Sequence, residues 1–307
     1  MFSVKIGIVG LGRMGMNMAK RLLLGNHKVV AYNRTEEKIE EIKKFGAEGA
    51  QNLEDLVLKL DKPAIVWLML PAGEITDEHI NELVKFMKEG DIIIDGSNGF
   101  YGDDIRRAGD LAKKGIHYID AGVSGGIWGL EVGYCTMIGG NKSDFEYIEP
   151  ILKSLAPKEG YMYCGPTGAG HYTKMVHNGI EYALMEAYGE GFEILHESPY
   201  GKTLDLEKVA HIWNHGSVVR SWLLELLEDA LKKDKDLSEI KGYVEDSGEG
   251  RWTVNEAVNL GVSATAIAHA LFKRFESRKE DQFSDKIIAA LRNEFGGHKV
   301  YKEDDHN

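Results

Sequence analysis

A polar stripe interrupts the apolar pattern of residues 168–185. Its members are Lys174, His177, Asn178, Glu181 and Tyr182. At about 100° per residue, this spacing confines them to one arc of an α-helix. A desolvated lysine loses its proton and acts as a base, and a carboxyl group with a raised pKa acts as an acid. A solvated helix face is the alternative interpretation, but the stripe lacks the mixture of Glu and Lys typical of such faces.

The wider face of the same helix is apolar and is expected to lie in a core. It consists of Met175, Val176, Gly179, Ile180, Ala183 and Leu184. A polar stripe on a buried helix must meet polar partners or line a wet cleft. The stripe is therefore a candidate catalytic site.

A glycine-rich turn directly follows the first β-like run and opens a helix. It consists of Gly10, Leu11, Gly12, Arg13, Met14 and Gly15. Glycines at this spacing permit a tight turn, a close approach to a pyrophosphate and close packing of helix on strand. A glycine turn without a ligand is the alternative, but the strand–turn–helix context favours a dinucleotide site.

The end of the second β-like run discriminates between cofactors. The chain there has Asn33, Arg34 and Thr35, with no acid to bond a ribose 2′-hydroxyl group. The guanidinium of Arg34 suits a 2′-phosphate or the adenine ring, so NADP is preferred and NAD remains possible. The alternative is that Arg34 is merely a surface charge.

Two more turns follow β-like runs. Asn98 ends the sequence Asp-Gly-Ser-Asn, and Ser124, Gly125 and Gly126 end a second glycine-rich stretch. Ligands of open parallel sheets bind at the carboxyl ends of strands, where exposed amides and hydroxyl groups hold carboxylates or sugar hydroxyls. Taken alone, the second stretch is equally consistent with an ordinary loop.

The elements that position these residues alternate between strand and helix in the first half. The β-like runs are Val4–Val9, Lys28–Tyr32, Ala64–Leu70, Asp91–Asp95, Ile116–Ala121 and Tyr134–Ile138. The alternation predicts an α/β Rossmann-type domain over residues 1–165, with a parallel, extended sheet covered on both faces. After Gly165 only helical periodicity remains, so residues 166–307 are predicted to form an all-α domain for substrate binding and oligomerisation.

Composition limits the remaining possibilities. The 307 residues carry a net charge of −12, which argues against nucleic-acid binding but permits a small anionic substrate. The sequence has no membrane-spanning stretch and no secretory signal, so neither is expected. The two cysteines, Cys135 and Cys164, exclude a disulfide scaffold and indicate the cytoplasm.

Together, the motifs resemble the short form of 6-phosphogluconate dehydrogenase, within the β-hydroxyacid dehydrogenase superfamily. GLGRMG, AYNRT, DGSN, VSGG, KMVHNGIEY, GEGRWT and FGGH occur in the family's order across nearly the whole chain. KMVHNGIEY is highly specific, whereas GLGRMG and VSGG are shared with the wider superfamily. The resemblance implies oxidative decarboxylation of 6-phosphogluconate to ribulose 5-phosphate without a metal.

The resemblance also implies individual roles. Lys174 matches the family's general base. Glu181 matches the acid that protonates C1 of the enediol intermediate, and His177 and Asn178 match catalytic positions beside them. Positions that hold the sugar acid are matched by Asn98, Ser124, Gly125, Gly126, His177 and Asn178, and those at the phosphate by Tyr182 and Arg274. Further cofactor contacts are expected from Leu70, Pro71, Ala72 and Asn98.

Arg292 and His298 match residues that the partner subunit inserts into the active site, which implies a homodimer or a dimer of dimers. Without the resemblance, Arg292 and His298 would be interpreted as a charged helix end and a glycine turn.

One departure from the family pattern concerns the phosphate site: where the long form has a lysine, this chain has Ser247. Arg251 and Lys273 are candidates to supply the missing positive charge.

Two alternative functions remain. The first is a β-hydroxyacid dehydrogenase that acts on 3-hydroxyisobutyrate or an aldonate without decarboxylation. The second, which is the least favoured, is a non-catalytic NADP-binding protein.

Overall fold

The computed structural model describes residues 3–301, apart from the side chain of Phe295. The chain divides into two compact units, Met1–Asn178 and Gly179–Asn307, here called the sheet unit and the helical unit. The division falls inside one long helix, and the domain boundary predicted near residue 165 stays a prediction. Within residues 3–301, no helix is both long and apolar enough to span a membrane.

The sheet unit is built on a sheet with the strand order β3-β2-β1-β4-β5-β6-β7-β8. The strands are β1 Lys5–Val9, β2 Lys28–Tyr32, β3 Glu48–Gly49, β4 Ile65–Leu68, β5 Ile92–Asp95, β6 His117–Ser124, β7 Cys135–Gly139 and β8 Tyr161–Gly165. The pairs from β3 through β6 are parallel, and β8 is parallel to β7. The predicted α/β class is therefore confirmed.

Helices cover both faces of this sheet. They are α1 Arg13–Leu24, α2 Glu36–Lys43, α3 Leu53–Leu58, α4 Glu74–Leu83, α5 Tyr101–Ala112, α6 Gly129–Val132 and α7 Lys142–Leu155. Because successive strand residues point to opposite faces, Ile92 and Ile94 of β5 enter one hydrophobic core and Ile93 enters the other. Both cores are closed by residues of the sheet unit itself.

The sheet departs from a wholly parallel arrangement at one place. Strand β7 runs antiparallel to β6, with Ser124 opposite Cys135. The connection between them spans only residues 125–134, and a parallel crossover needs about a dozen residues or more. The predicted strands did not include β8 or β3, and β3 has only two residues.

Helix α8, Ala169–Glu197, leads from the sheet unit into the helical unit. The helical unit continues with α9 Leu206–Asn214, α10 Trp222–Lys233, α11 Glu249–Leu260, α12 Thr265–Glu276 and α13 Phe283–Gly296. Side chains of Asp205 and Ser221 cap the first turns of α9 and α10. The predicted all-α character of this part of the chain is confirmed.

The expectation that the whole apolar face of α8 is buried was wrong. Met175 is 1% exposed, but Ile180 and Leu184 are 51% and 44% exposed. In the helical unit, the neighbouring helices pack on the part of this face that contains Gly179, where a Cβ atom would lie 2.8 Å from Thr253. The exposed side chains lie outside that contact.

Candidate active site

The glycine turn after β1 has the shape needed to receive a dinucleotide. Gly10 has a φ of +96°, and a Cβ atom there would lie 2.3 Å from the carbonyl oxygen of Met69. A Cβ atom on Gly15 would lie 2.1 Å from the carbonyl oxygen of Gly10, so α1 packs directly on the turn. A Cβ atom on Gly12 would meet none of the described atoms within 4 Å, which leaves room at the start of α1 for an anion.

The neighbouring strand ends complete this edge of the sheet. Asn33, after β2, accepts a hydrogen bond at 2.9 Å from the backbone N–H of Leu11 and donates to the carbonyl oxygen of Thr35 at 3.2 Å. Arg34 is exposed beside it. Because β4 is adjacent to β1, the segment Leu70–Ala72 lies at the same edge, with Leu70 half-buried and the other two residues exposed. Arg13 and Met14 begin α1, so the expected cofactor residues lie together.

Asn98 links the ends of two strands. Its side-chain amide donates to the carbonyl oxygen of Val123 at 3.0 Å and accepts from the N–H of the same residue at 2.8 Å. Asn98 has a φ of +55°, a conformation that asparagine tolerates better than most residues. The side chain predicted to contact ligand thus also fixes the segment that leads to Ser124, Gly125 and Gly126.

Lys174 lies against β6 and is 5% exposed. The close approach depends on glycine, since a Cβ atom on Gly122 would lie 2.5 Å from the Cβ atom of Lys174. The amine donates a hydrogen bond to Oδ1 of Asn178. The helix therefore delivers a buried amine to the carboxyl end of β6, next to the sequence that contains Ser124.

His177 completes this cluster. Its Nδ1 lies 2.9 Å from Oδ1 of Asn178, and its Nε2 lies 3.5 Å from Oγ of Ser124. Because an amide oxygen only accepts, Nδ1 carries a proton, and Nε2 is then the acceptor for the Ser124 hydroxyl group when the ring is neutral. Four of the predicted site residues thus form one hydrogen-bonded group.

A buried network that the sequence did not reveal holds the start of α8. Both oxygens of Asp120 accept from this helix start, from the N–H of Gly168 at 2.7 Å and of His171 at 2.9 Å. The ring of His171 lies 2.8 Å from Asp104 through Nδ1. Tyr118 lies 2.7 Å from Asp104 and 2.8 Å from Asp95. The only available sequence signal was the presence of acids and a histidine in otherwise apolar segments.

The network shifts the pKa values of its members. Burial raises the pKa of Asp104 to about 6. Burial lowers the pKa of His171, but Asp104 beside it outweighs burial and raises that pKa to about 9. Asp95, Asp104 and His171 are close enough together to ligate a cation. The Arg107 guanidinium, 3.0 Å from Asp95 and 4.0 Å from Asp104, already supplies positive charge there.

The remaining predicted residues lie in the helical unit. Tyr182 is 5% exposed, and its hydroxyl oxygen accepts a hydrogen bond at 3.2 Å from the N–H of Ser247. The Arg274 guanidinium lies 3.5 Å from the centre of the Tyr182 ring. Glu181 precedes this tyrosine in α8 and is half-buried. The structure therefore brings together the two residues that were expected at the phosphate.

Arg292 and His298 lie at the end of the chain and are exposed. The carbonyl oxygen of Arg292 accepts from the N–H of His298 at 3.4 Å, and Asn293 donates to the carbonyl oxygen of His298 at 2.8 Å. Gly297, with a φ of +63°, ends α13 in the left-handed conformation. These bonds fix the turn that carries both side chains.

A glycine turn at the carboxyl edge of a largely parallel sheet and a buried lysine on α8, the helix that leads into the helical unit, define a two-domain, nicotinamide-dependent dehydrogenase. A family model described as the NAD binding domain of 6-phosphogluconate dehydrogenase matches residues 5–165. The model of the 6-phosphogluconate dehydrogenase C-terminal domain matches residues 170–307. The chain belongs to the 6-phosphogluconate dehydrogenase family.

Individual relatives agree with this membership. The YqeC protein of Bacillus subtilis (strain 168) is 46% identical over 98% of this chain and 100% of its own length. An NAD(+)-dependent, decarboxylating 6-phosphogluconate dehydrogenase from Haloferax volcanii is 41% identical over 98% of this chain and 100% of its length. The Plasmodium falciparum 6-phosphogluconate dehydrogenase, solved in its apo form, with NADP+ and with 6-phosphogluconate, has a TM-score of 0.81 and 31% identity. That alignment covers 99% of this chain and 67% of that one.

Proposed function

We propose that this protein oxidises and decarboxylates 6-phosphogluconate to ribulose 5-phosphate and carbon dioxide, using NADP or NAD. The proposal depends mainly on one observation: Lys174 is 5% exposed, and its amine donates a hydrogen bond to Asn178. The two matching family models together span residues 5–165 and 170–307 of the chain. A buried amine with an amide partner is suited to exchange a proton with a substrate hydroxyl group. Relatives named for this reaction support the choice of substrate.

The turn Gly10–Gly15 and the strand ends at Asn33, Arg34 and Leu70–Ala72 would hold the cofactor. The chemistry that a bound nicotinamide supplies is acceptance of a hydride from C3 of the substrate. Exposed Arg34 and the lack of an acid after β2 favour NADP, whereas the Haloferax volcanii relative is named NAD(+)-dependent. We therefore expect activity with both cofactors and a preference for NADP.

Lys174 takes the proton of the 3-hydroxyl group as C3 is oxidised. The ammonium group formed on Lys174 then donates to the new carbonyl oxygen, which accepts the electron pair released when carbon dioxide leaves. Ser124 and His177 hold hydroxyl groups of the sugar acid, and Asn178 orients the lysine. Glu181 protonates C1 of the resulting enediol, while Lys174 removes the proton from its 2-hydroxyl group.

A metal is not required by this scheme, because the protonated lysine supplies the positive charge that stabilises the enediolate. We also propose that the protein works in the cytoplasm. Both cysteines are free thiols, as expected in a reducing compartment.

We further propose that two copies of the chain assemble and that Arg292 and His298 enter the partner's active site. Phe283, Ile287, Ile288 and Leu291 of α13 are 45–76% exposed. Their spacing places them along one side of the helix, next to the turn that carries His298. An exposed apolar helix side of this kind is typical of a surface covered by another subunit.

The first test is an assay of the purified protein with 6-phosphogluconate. Absorbance of the reduced nicotinamide is followed with NADP and with NAD, and released carbon dioxide is trapped. One carbon dioxide per reduced cofactor is expected. Reduction of cofactor by gluconate or 3-hydroxyisobutyrate, with no turnover of 6-phosphogluconate, would replace the proposal by a non-decarboxylating hydroxyacid dehydrogenase.

Two experiments test the assigned roles. Glu181→Gln is expected to slow turnover by roughly 10²–10⁴-fold, because it removes the acid without changing side-chain size. Mixed oligomers of Lys174→Met and His298→Ala subunits are expected to regain activity that neither variant has alone. An unimpaired Glu181→Gln enzyme would remove the acid assignment, and inactive mixed oligomers would contradict subunit sharing.

A further inference from the structure

Two arginines of the helical unit bind one carboxylate, and a third binds the backbone beside it. Asp246 accepts hydrogen bonds from Arg251 at 2.6 and 3.0 Å and from Arg278 at 2.7 Å. Its side chain is 4% exposed. The hydrogen bonds from Arg251, together with those from Arg278, lower the pKa of Asp246 to about 2. The carboxylate is therefore charged at neutral pH and holds both guanidinium groups.

The third arginine connects this cluster to Tyr182. Arg274 packs on the tyrosine ring and donates to the carbonyl oxygen of Glu245 at 2.7 Å. Arg278, four residues later, donates through Nε to the carbonyl oxygen of Val244 at 2.8 Å. The two arginines thus tie the segment 244–246 to the end of α12.

Ser247 is the next residue of the same segment. Its N–H bonds the hydroxyl oxygen of Tyr182, and its hydroxyl group donates to the carboxylate of Glu249 at 2.5 Å. Two candidates for a replacing cation were named from the sequence. Lys273 lies 3.6 Å from Glu276, and both hydrogen bonds of Arg251 go to the two oxygens of Asp246, so each of these cations is paired with a carboxylate. Arg278 gives one bond to Asp246 and the other to the neutral carbonyl group of Val244.

Arg278 keeps the capacity to bind an anion. A guanidinium group has five N–H donors, and the hydrogen bonds of Arg278 within the described residues use its Nε and one terminal nitrogen.

We propose that Arg278 is a specificity-determining residue that binds the phosphate end of the substrate and supplies the cation that Ser247 lacks. Asp246 and the carbonyl group of Val244 hold Arg278 on the segment that Arg274 also binds and whose Ser247 bonds Tyr182. This inference rests on the proposed function, since it assigns a residue to the phosphate of the same substrate. It predicts that the loss of Arg278 weakens binding of phosphorylated ligands and leaves cofactor binding unchanged.

The test compares Arg278→Gln and Arg278→Lys with Arg220→Gln, which removes the same charge from an exposed position of the helical unit. The KM for 6-phosphogluconate and kcat are measured for each variant. Dissociation constants of the cofactor and of inorganic phosphate are measured by calorimetry. Arg278→Gln is expected to raise the KM by roughly 10- to 100-fold, with kcat within about threefold, and to weaken phosphate binding. Arg278→Lys should have a smaller effect and Arg220→Gln none.

A purely structural role for Arg278 gives a different result. Arg278→Gln would then lower kcat and the melting temperature while the KM and the phosphate dissociation constant stayed at wild-type values, and this outcome overturns the proposal. If Arg278→Gln does not fold, a wild-type KM in Arg278→Lys overturns it as well. If the wild-type enzyme fails to oxidise 6-phosphogluconate, the proposed function fails, and phosphate titration of wild type against Arg278→Gln decides the inference separately.

Discussion

The sheet unit and the helical unit bury their apolar residues to different extents. In the sheet unit, two large cores lie on opposite faces of the sheet. In the helical unit, the fully buried clusters are small: one contains Phe192, Ala210, Leu224 and Leu231, and the other contains Tyr182, Ala270 and Leu271. The sheet unit therefore closes its own core, whereas the helical unit has small buried clusters and exposed apolar side chains such as those of α13.

A second contrast concerns two groups of predicted site residues. Lys174, His177, Asn178 and Ser124 hydrogen-bond to one another within the sheet unit. Arg292 and His298 of the helical unit are exposed at the end of the chain. The cluster in the sheet unit is thus fixed by its own hydrogen bonds, whereas the proposed role of Arg292 and His298 depends on a partner subunit.

The largest expected effect comes from removing the base in the sheet unit. Lys174→Met is expected to lower kcat by about 10²–10⁴-fold and to leave the cofactor dissociation constant within about twofold, because the cofactor residues lie elsewhere on the sheet edge. Lys158→Met, at an exposed position, is the matched control. Steady-state kinetics and cofactor titration measure both. Substantial residual activity in Lys174→Met would remove the assignment of the base.

Leucine-to-alanine substitutions test the difference in packing between the two units. Leu152 is fully buried, so Leu152→Ala is expected to destabilise the protein by about 2–5 kcal/mol at any protein concentration. Leu291 is 58% exposed, so Leu291→Ala should act mainly by weakening self-association. Urea unfolding at two protein concentrations, with sedimentation analysis, separates the two effects. An equally large, concentration-independent loss in Leu291→Ala would contradict the comparison.

The buried network of the sheet unit predicts a dependence of stability on pH. Folding raises the pKa values of Asp104 to about 6 and of His171 to about 9, so the folded state binds more protons than the unfolded state. Stability should fall as the pH rises, through Asp104 between about 4 and 6 and through His171 between about 6.5 and 9. His171→Gln should lose about 1–3 kcal/mol at pH 6.5 relative to wild type, and less at pH 9.5.

Urea unfolding at a series of pH values measures this difference. His196→Gln, whose side chain is 58% exposed, serves as the control and should track wild type throughout. If the difference in unfolding free energy between wild type and His171→Gln grows from pH 6.5 to pH 9.5, the Asp104–His171 pair does not bind the extra proton.

The smallest expected effect concerns cofactor choice at an exposed residue. Arg34→Ala should raise the KM for NADP by roughly 3- to 10-fold and leave the KM for NAD within about twofold, because only NADP carries a 2′-phosphate. Lys38→Ala, also exposed, is the comparison variant. Equal changes in the KM for NADP and the KM for NAD would mean that Arg34 does not bind the 2′-phosphate.

Local patterns in the sequence were sufficient for the main elements. The glycine turn at Gly10–Gly15, the strands β1 and β2 and the long helix α8 each follow from residues close together in the chain. Glycine conformational freedom, short apolar runs and helical spacing are local properties, so one sequence reveals them. The KMVHNGIEY motif likewise identified the family before any contact was known.

Contacts between distant residues were decided only by the tertiary structure. The network of Asp104 with His171 and the approach of Arg278 to Asp246 join residues that are 67 and 32 positions apart in sequence. The exposure of Ile180 and Leu184 also depends on which side of α8 its neighbours cover. A hydrophobic pattern indicates that a residue favours burial, but the packing of whole helices and strands decides which residues bury it.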